Sequence, residues 1–229
     1  VATARALKMN GGVAKTDLNE ENLEALAAGM PNLLQHVANL TEVYGMPVVV
    51  AINRHPTDTV TELELIQSCC AEQGVNAVLS EVWAKGGQGG IALAQEVLRL
   101  VEQPSELKFA YPTGASIKEA VEAVATRIYH ADGVDFAPAA LKQIAALEEN
   151  GYGHLPVCIA KTQYSFSDDP VKLGAPRGFR IAVREVKVSA GAGFVVVLAG
   201  SVMTMPGLPK VPAAEKIDVD ESGRITGLF

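Results

Sequence analysis

The chain has 229 residues, 48% of them hydrophobic and 20% charged, with a formal net charge of −7. This is the composition of a globular protein with room for one large domain or two small ones, and its acidic balance, without a basic patch, argues against a nucleic-acid partner. The longest apolar run, Phe194–Gly200, falls well short of the roughly 20 residues that a membrane helix needs, so no membrane association is expected.

Residues 1–12 read as a strand end followed by a glycine turn. The opening Val1-Ala2-Thr3, without a methionine, looks like a strand cut through, and 218–229 looks like a natural terminus, so a C-terminal piece of a longer enzyme is expected. Leu23, Leu26, Leu33, Val37 and Leu40 give helical spacing over Asn19–Leu40, with an interruption expected near Gly29 and Pro31. Gly45-Met46-Pro47 stops it. Val48–Ile52 is a continuous β-branched run, the pattern of a parallel strand covered on both faces. Thr59 and Glu62 have capping-box spacing, and the helix they open is expected to bury Val60, Leu63, Ile66 and Cys70 before ending at Gly74. Ala77–Leu79 follows as a short strand, and Ile91–Val101 as a helix with Ala94, Val97, Leu98 and Val101 on its inner face. Lys108–Tyr111 reads as a third strand. Ser116 and Glu119 repeat the capping-box spacing ahead of Ile117, Val121, Val124 and Ile128.

This alternation predicts a parallel sheet with right-handed crossovers. After about residue 135 the texture changes. A helix over Pro138–Glu149 closes at Asn150-Gly151, and β-rich segments follow over Pro156–Thr162, Phe179–Val188 and Phe194–Gly200. The expected fold is α/β: a parallel-sheet α/β domain over 46–135, then a smaller α+β domain over 136–229, with 1–45 left from a preceding domain. Cys69 and Cys70 are adjacent and Cys158 is distant, with no C-x-x-C. They read as apolar filler in a reducing, cytoplasmic setting rather than as a disulfide framework or zinc site. No signal peptide is expected.

The chemistry concentrates in Val48–Gly90. Asn53-Arg54-His55-Pro56-Thr57-Asp58 leaves the first strand, and Glu81-Val82-Trp83-Ala84-Lys85-Gly86-Gly87-Gln88-Gly89-Gly90 leaves the second. Loops at the carboxyl ends of neighbouring parallel strands face one crevice, where open α/β sheets bind ligands. The single tryptophan, Trp83, offers a stacking face; its alternative role is core or interface filler. Lys85 offers a counter-charge, or is a solvated loop lysine. Gly86 and Gly87 begin a cluster that either presents backbone N–H groups to an anion or makes a structural turn. His55 and Asn53 read as crevice wall or as turn residues. The Walker sequence G-x-x-x-x-G-K-S/T is absent. Lys161-Thr162-Gln163-Tyr164-Ser165-Phe166-Ser167-Asp168-Asp169-Pro170 offers hydroxyls, a lysine and carboxylates, or is an ordinary surface loop. His36, His130 and His154 have no ligand spacing, and Met203–Pro209 reads as a packed, stiff turn.

In this order the motifs resemble the formate–tetrahydrofolate ligase family. The strings are Ala4-Arg5-Ala6-Leu7-Lys8-Met9-Asn10-Gly11-Gly12, Pro47–Asn53 with Pro56-Thr57-Asp58-Thr59, Ser80–Gly90, Ile159-Ala160-Lys161-Thr162-Gln163-Tyr164-Ser165, Arg184-Glu185-Val186 with Ser189-Ala190-Gly191, Met203–Pro209 and Gly227-Leu228-Phe229. The resemblance implies an enzyme that joins formate to tetrahydrofolate with ATP through formyl phosphate. It implies Mg2+ with the ATP, a monovalent cation (K+ or NH4+), a homotetramer, and a P-loop in an N-terminal nucleotide-binding domain, of which 1–45 would be the remnant. It places the family's tryptophan on Trp83 and a second aromatic wall, usually phenylalanine, on His55; Asn53, Lys85 and the glycine loop with Gly86 and Gly87 are weaker carry-overs. The fragment is expected to be inactive alone, holding the heterocycle while the missing domain supplies the phosphate charge. The competing readings are an assembly module, with Trp83 in an interface, and an independent α/β enzyme.

Overall fold

Ala2 pairs with the first strand before the chain turns into a helix, and this junction organises the first half of the molecule. The computed structural model describes residues 1–202 and 211–227. The Ala2 N–H donates to Ala51 O and its carbonyl accepts from Asn53 N–H, each at 2.8 Å. Thr3 Oγ1 then accepts the Ala6 N–H and caps α1 (Ala4–Asn10). The opening is therefore one strand-like residue and a helix, not a strand end and a glycine turn alone. Gly11 and Gly29 let α1 lie against α2 (Leu23–Ala38): a Cβ on Gly11 would overlap the Ala25 carbonyl, and one on Gly29 the Leu7 carbonyl.

The interruption expected near Gly29 and Pro31 does not occur. Gly29 is a packing residue, and buried Met30, Leu33 and Val37 carry the helix past an exposed Pro31. The helix loosens into a π-turn only at Asn39–Val43. β1 (Val49–Asn53) and β2 (Asn76–Ser80) pair in parallel, with Asn53 opposite Ser80 at their carboxyl ends. Between them runs α3 (Val60–Glu72), opened by the reciprocal Thr59–Glu62 capping box. It buries Leu63, Ile66 and Cys70 but leaves Val60 exposed, because this first helical residue precedes the packed face.

Beyond β2 the chain forms α4 (Val82–Lys85), a 3₁₀ turn over Gly86–Gly90 and α5 (Ile91–Val101). The face of α5 is rotated from the expected one: Ala94, Val97, Leu98 and Val101 are exposed, while Leu93 and Glu96 are half-buried and Leu100 is buried. The spacing does single out one apolar face, with Gln95, Glu96 and Arg99 opposite, but within this chain α5 packs through Leu93 and Leu100 at its margin and leaves most of that face uncovered. Lys108–Tyr111 is not a strand. Lys108 N–H donates to Tyr44 O, and the Ala110 carbonyl is taken by Arg127.

The second core lies over a four-stranded mixed sheet, order β3-β5-β6-β4, built from β3 (Val134–Phe136), β4 (Val157–Ala160), β5 (Ile181–Ser189) and β6 (Phe194–Ala199). β5 and β6 are antiparallel, and each has a parallel partner on its other side. α6 (Ile117–Arg127), capped by Ser116 and Glu119, and α7 (Pro138–Glu149) accompany it, and Ile117, Val121 and Ile144 are buried with Ile181, Val183 and Val197. Phe179 is buried ahead of the ladder, so β5 starts later than its apolar run. A small hairpin, β7 (Asp218–Val219) with β8 (Ile225–Thr226), follows.

Polar bonds join the two cores. Gly174 N–H donates to Asn10 Oδ1 and its carbonyl accepts from Asn32, Arg177 donates to Gln35 Oε1 at 2.7 Å, and Asn39 donates to Ile128 O. Cys70 is buried filler as expected, but Cys158 is exposed on β4, where the strand turns it away from the core. No helix among the described residues is long and apolar enough to cross a membrane. Met203–Pro209 and Leu228-Phe229 lie outside the described residues.

Candidate functional site

The aligned ends of β1 and β2 bring the two loops to one edge. After the Asn53–Ser80 rung, Arg54 N–H still donates to Ser80 O at 3.2 Å, and then the chains diverge. In the first loop Asp58 is buried and its Oδ2 accepts the His55 N–H at 2.7 Å. The turn expected there is formed this way. In the second loop Glu81 N–H donates to Gly89 O, and the Glu81 carbonyl accepts from Ala84 and Lys85. Arg54, His55, Pro56, Glu81, Trp83 and Ala84 enclose a crevice of about 300 Å³ between the loops.

Trp83 is 79% exposed, so it fills no core within this chain. It lines the crevice together with His55. The remaining sequence candidates are placed differently. Asn53 belongs to the β1 ladder, and its N–H is taken by Ala2. Lys85 reaches the crevice only through Glu81, to which its ammonium binds at 2.6 Å. Gly86 and Gly87 stand outside the lining. The glycine cluster is a wound 3₁₀ turn rather than an open cradle: Gly86 needs its φ of 56°, and a Cβ on Gly89 would overlap the Glu81 carbonyl.

Arg54 and Glu81 were not singled out from sequence, although each stands at the end of a strand. Arg54 Nη1 meets Glu81 Oε1 at 3.0 Å, while Lys85 holds the other oxygen. The hydrogen bond from Lys85, with the Lys85 charge and then Arg54 adding to it, holds the Glu81 carboxyl below the usual carboxylate range although burial opposes them. Arg54 and Lys85 are balanced by Glu81 and Asp58, so the two loops carry no net charge. A planar face, an imidazole and an apolar floor suit a flat, polar molecule.

The Lys161 loop is more built than a surface loop. Lys161 donates to the carbonyls of Thr162, Ser165 and Ser167, and lies 4.7 Å from the centre of the Tyr129 ring. Burial pushes its pKa down to about 8, with Asp168 opposing. Phe166 packs on His36 with ring centres 4.4 Å apart, and burial, then Lys161, lowers the His36 pKa. With its donors spent on carbonyls, the lysine organises this loop; it is distinct from the crevice lining.

The family model for formate–tetrahydrofolate ligase matches residues 1–229. A formate–tetrahydrofolate ligase from Symbiobacterium thermophilum is 60% identical over 229 residues, which is 100% of this chain and 41% of that relative. The chain thus spans about two-fifths of the length of the curated relative it matches.

Proposed function

Because the chain belongs to the formate–tetrahydrofolate ligase family, we propose that it forms the heterocycle-holding part of a cytoplasmic enzyme of one-carbon metabolism. That enzyme joins formate to tetrahydrofolate with ATP, through formyl phosphate, and releases ADP and phosphate. The observation that carries the reading is the exposed Trp83 indole, which lines with His55 the crevice between the loops that follow β1 and β2. An unsupported indole at a strand's carboxyl end is costly surface unless something flat covers it. Histidine at the second wall gives a smaller stacking face than phenylalanine.

The residues present do not fit the polyphosphate of ATP. Arg54 and Lys85 are both held by Glu81, and the 229 residues contain no G-x-x-x-x-G-K-S/T sequence. In this reading ATP, its Mg2+ and the monovalent cation K+ or NH4+ are bound by the N-terminal P-loop part of the ligase. This chain contributes position: it presents the folate's amine to an acyl phosphate and excludes water from one side of it. Alone it does not turn over.

Binding tests the reading. Calorimetric titration with tetrahydrofolate is expected to give saturable heat in this chain and a weakened response in Trp83→Ala. Equal affinity in the two would remove Trp83 from the site. Formate-dependent ATP hydrolysis by this chain alone would overturn the division of labour.

A second reading, subunit assembly, is favoured at a different place. Val97, Leu98 and Val101 leave an apolar strip of α5 bare, and we assign such a face to the homo-oligomer of the whole ligase. Light scattering checks it: a concentration-dependent mass that Val101→Glu abolishes supports assembly through α5, and a monomer at every concentration opposes it.

A further inference from the structure

We propose that Glu81 is a positioning residue, which by gripping Arg54 across the crevice and Lys85 within its own loop sets the spacing between His55 and Trp83. This rests on the crevice reading above and deepens it, because the grip would decide how tightly a flat heterocycle is held.

The backbone ties the two loops together only as far as Arg54 N–H and Ser80 O. Past that point the Arg54–Glu81 ion pair, at 3.0 Å, is the one recorded bond between the 54–58 and 81–90 segments among the described residues. Its two ends sit beside the rings that matter. His55 directly follows Arg54, and Trp83 stands two residues beyond Glu81 in the first turn of α4.

Glu81 is well anchored for this task. Its N–H is held by Gly89, its carbonyl by Ala84 and Lys85, and the absence of a Cβ at Gly89 lets the loop close over it. It occupies the N-cap position of α4, yet its side chain makes no cap bond and is sent across the crevice instead. A helix start ordinarily gains from a capping side chain; here one carboxylate oxygen is spent on the neighbouring loop instead. Lys85 holds the second oxygen in an i,i+4 pair that orients the carboxylate plane. Arg54 reaches the carboxylate through a single bond, Nη1 to Oε1, so charge and reach carry the grip.

The Arg54 and Glu81 side chains are 36% and 22% exposed. Screening by water keeps such pairs out of global stability, so the grip acts on local geometry. The test exploits the single tryptophan, which lies in the gripped loop. Glu81→Gln keeps the size and removes the charge. It is expected to leave the urea midpoint unchanged, to lower Trp83 fluorescence anisotropy in the ligand-free chain, and to weaken tetrahydrofolate binding roughly fivefold. In the unsubstituted chain, 1 M salt should lower the anisotropy in the same way, and Glu81→Gln should abolish that salt sensitivity. A merely structural role would not produce the salt signature.

Anisotropy, salt response and affinity unchanged in Glu81→Gln would overturn the proposal. Should that variant lower the urea midpoint, Arg54→Gln supplies the second test, because it removes the other end of the same ion pair. Loosened Trp83 there supports the grip, and unaltered Trp83 refutes it. If the unsubstituted chain shows no tetrahydrofolate response, the crevice reading fails and the positioning role falls with it. That failure is recognisable because it appears before any substitution is made.

Discussion

Glu62 and Glu81 perform similar local chemistry in opposite surroundings. Glu62 is fully buried. It accepts from Lys8 at 2.8 Å and from the backbone N–H groups of Asn22 and Thr59, and so joins α1 to the starts of α2 and α3. Burial alone would raise its pKa, but the Lys8 hydrogen bond and the two backbone donors more than offset this and hold it low. Glu81 also binds two partners, but at a partly exposed edge. The same carboxylate chemistry thus ties helices together where water is excluded and bridges two loops where it is not. A buried pair cannot lose one member without stranding the other, whereas an exposed pair can be broken and re-formed.

Substitutions probe this contrast, and the largest effect is expected at the buried pair. Lys8→Met leaves Glu62 charged and without its cation in the core, and should cost roughly 3–5 kcal/mol in urea denaturation. Adding Glu62→Leu should recover much of that loss; failure to recover would mean that the backbone bonds made by Glu62 matter more than its charge. Next comes the helix crossing that places Lys8. Gly29→Ala puts a methyl into the Leu7 carbonyl and should cost about 1–3 kcal/mol through displacement of α1. A wild-type urea midpoint in that variant would show that the helices separate freely.

Lys161 lies between the two extremes, and its expected effect is a slope rather than a loss. Its folded pKa is about 8, against roughly 10.4 in an unfolded chain. Between these values the unfolded state binds more protons, so this lysine makes stability rise with pH from about 8 to about 10.4. Lys161→Met should flatten that part of the profile of urea midpoint against pH. An unchanged slope would show that the lysine is not held against its charge. The smallest effect belongs to Glu81→Gln, whose urea midpoint should match that of the unsubstituted chain. A large drop would erase the contrast with Glu62.

Much of the fold was legible because local signals agreed with packing. The Thr59–Glu62 and Ser116–Glu119 boxes both form, and α7 runs over the Pro138–Glu149 span read from sequence. Failures occurred where a partner distant in sequence decided the outcome. Gly29 reads as a breaker until α1 is known to pass over it, and α5 has one broad apolar face whose Val97, Leu98 and Val101 stay uncovered within this chain. At the site, parallel strand ends placed Trp83 and His55 in one crevice. Glu81 went unnoticed because nothing in a lone glutamate shows that Arg54, 27 positions earlier, will lie opposite it. The glycine cluster misled for a related reason: Gly89 serves close packing against Glu81, a need visible only in three dimensions.

The most direct test of the central claim follows Trp83 fluorescence while tetrahydrofolate, and separately ATP, is added to this chain, with N-acetyltryptophanamide as the inner-filter control. The account predicts saturable quenching by tetrahydrofolate, none by ATP, and a weaker response in His55→Ala. Saturable quenching by ATP with no response to tetrahydrofolate would contradict it.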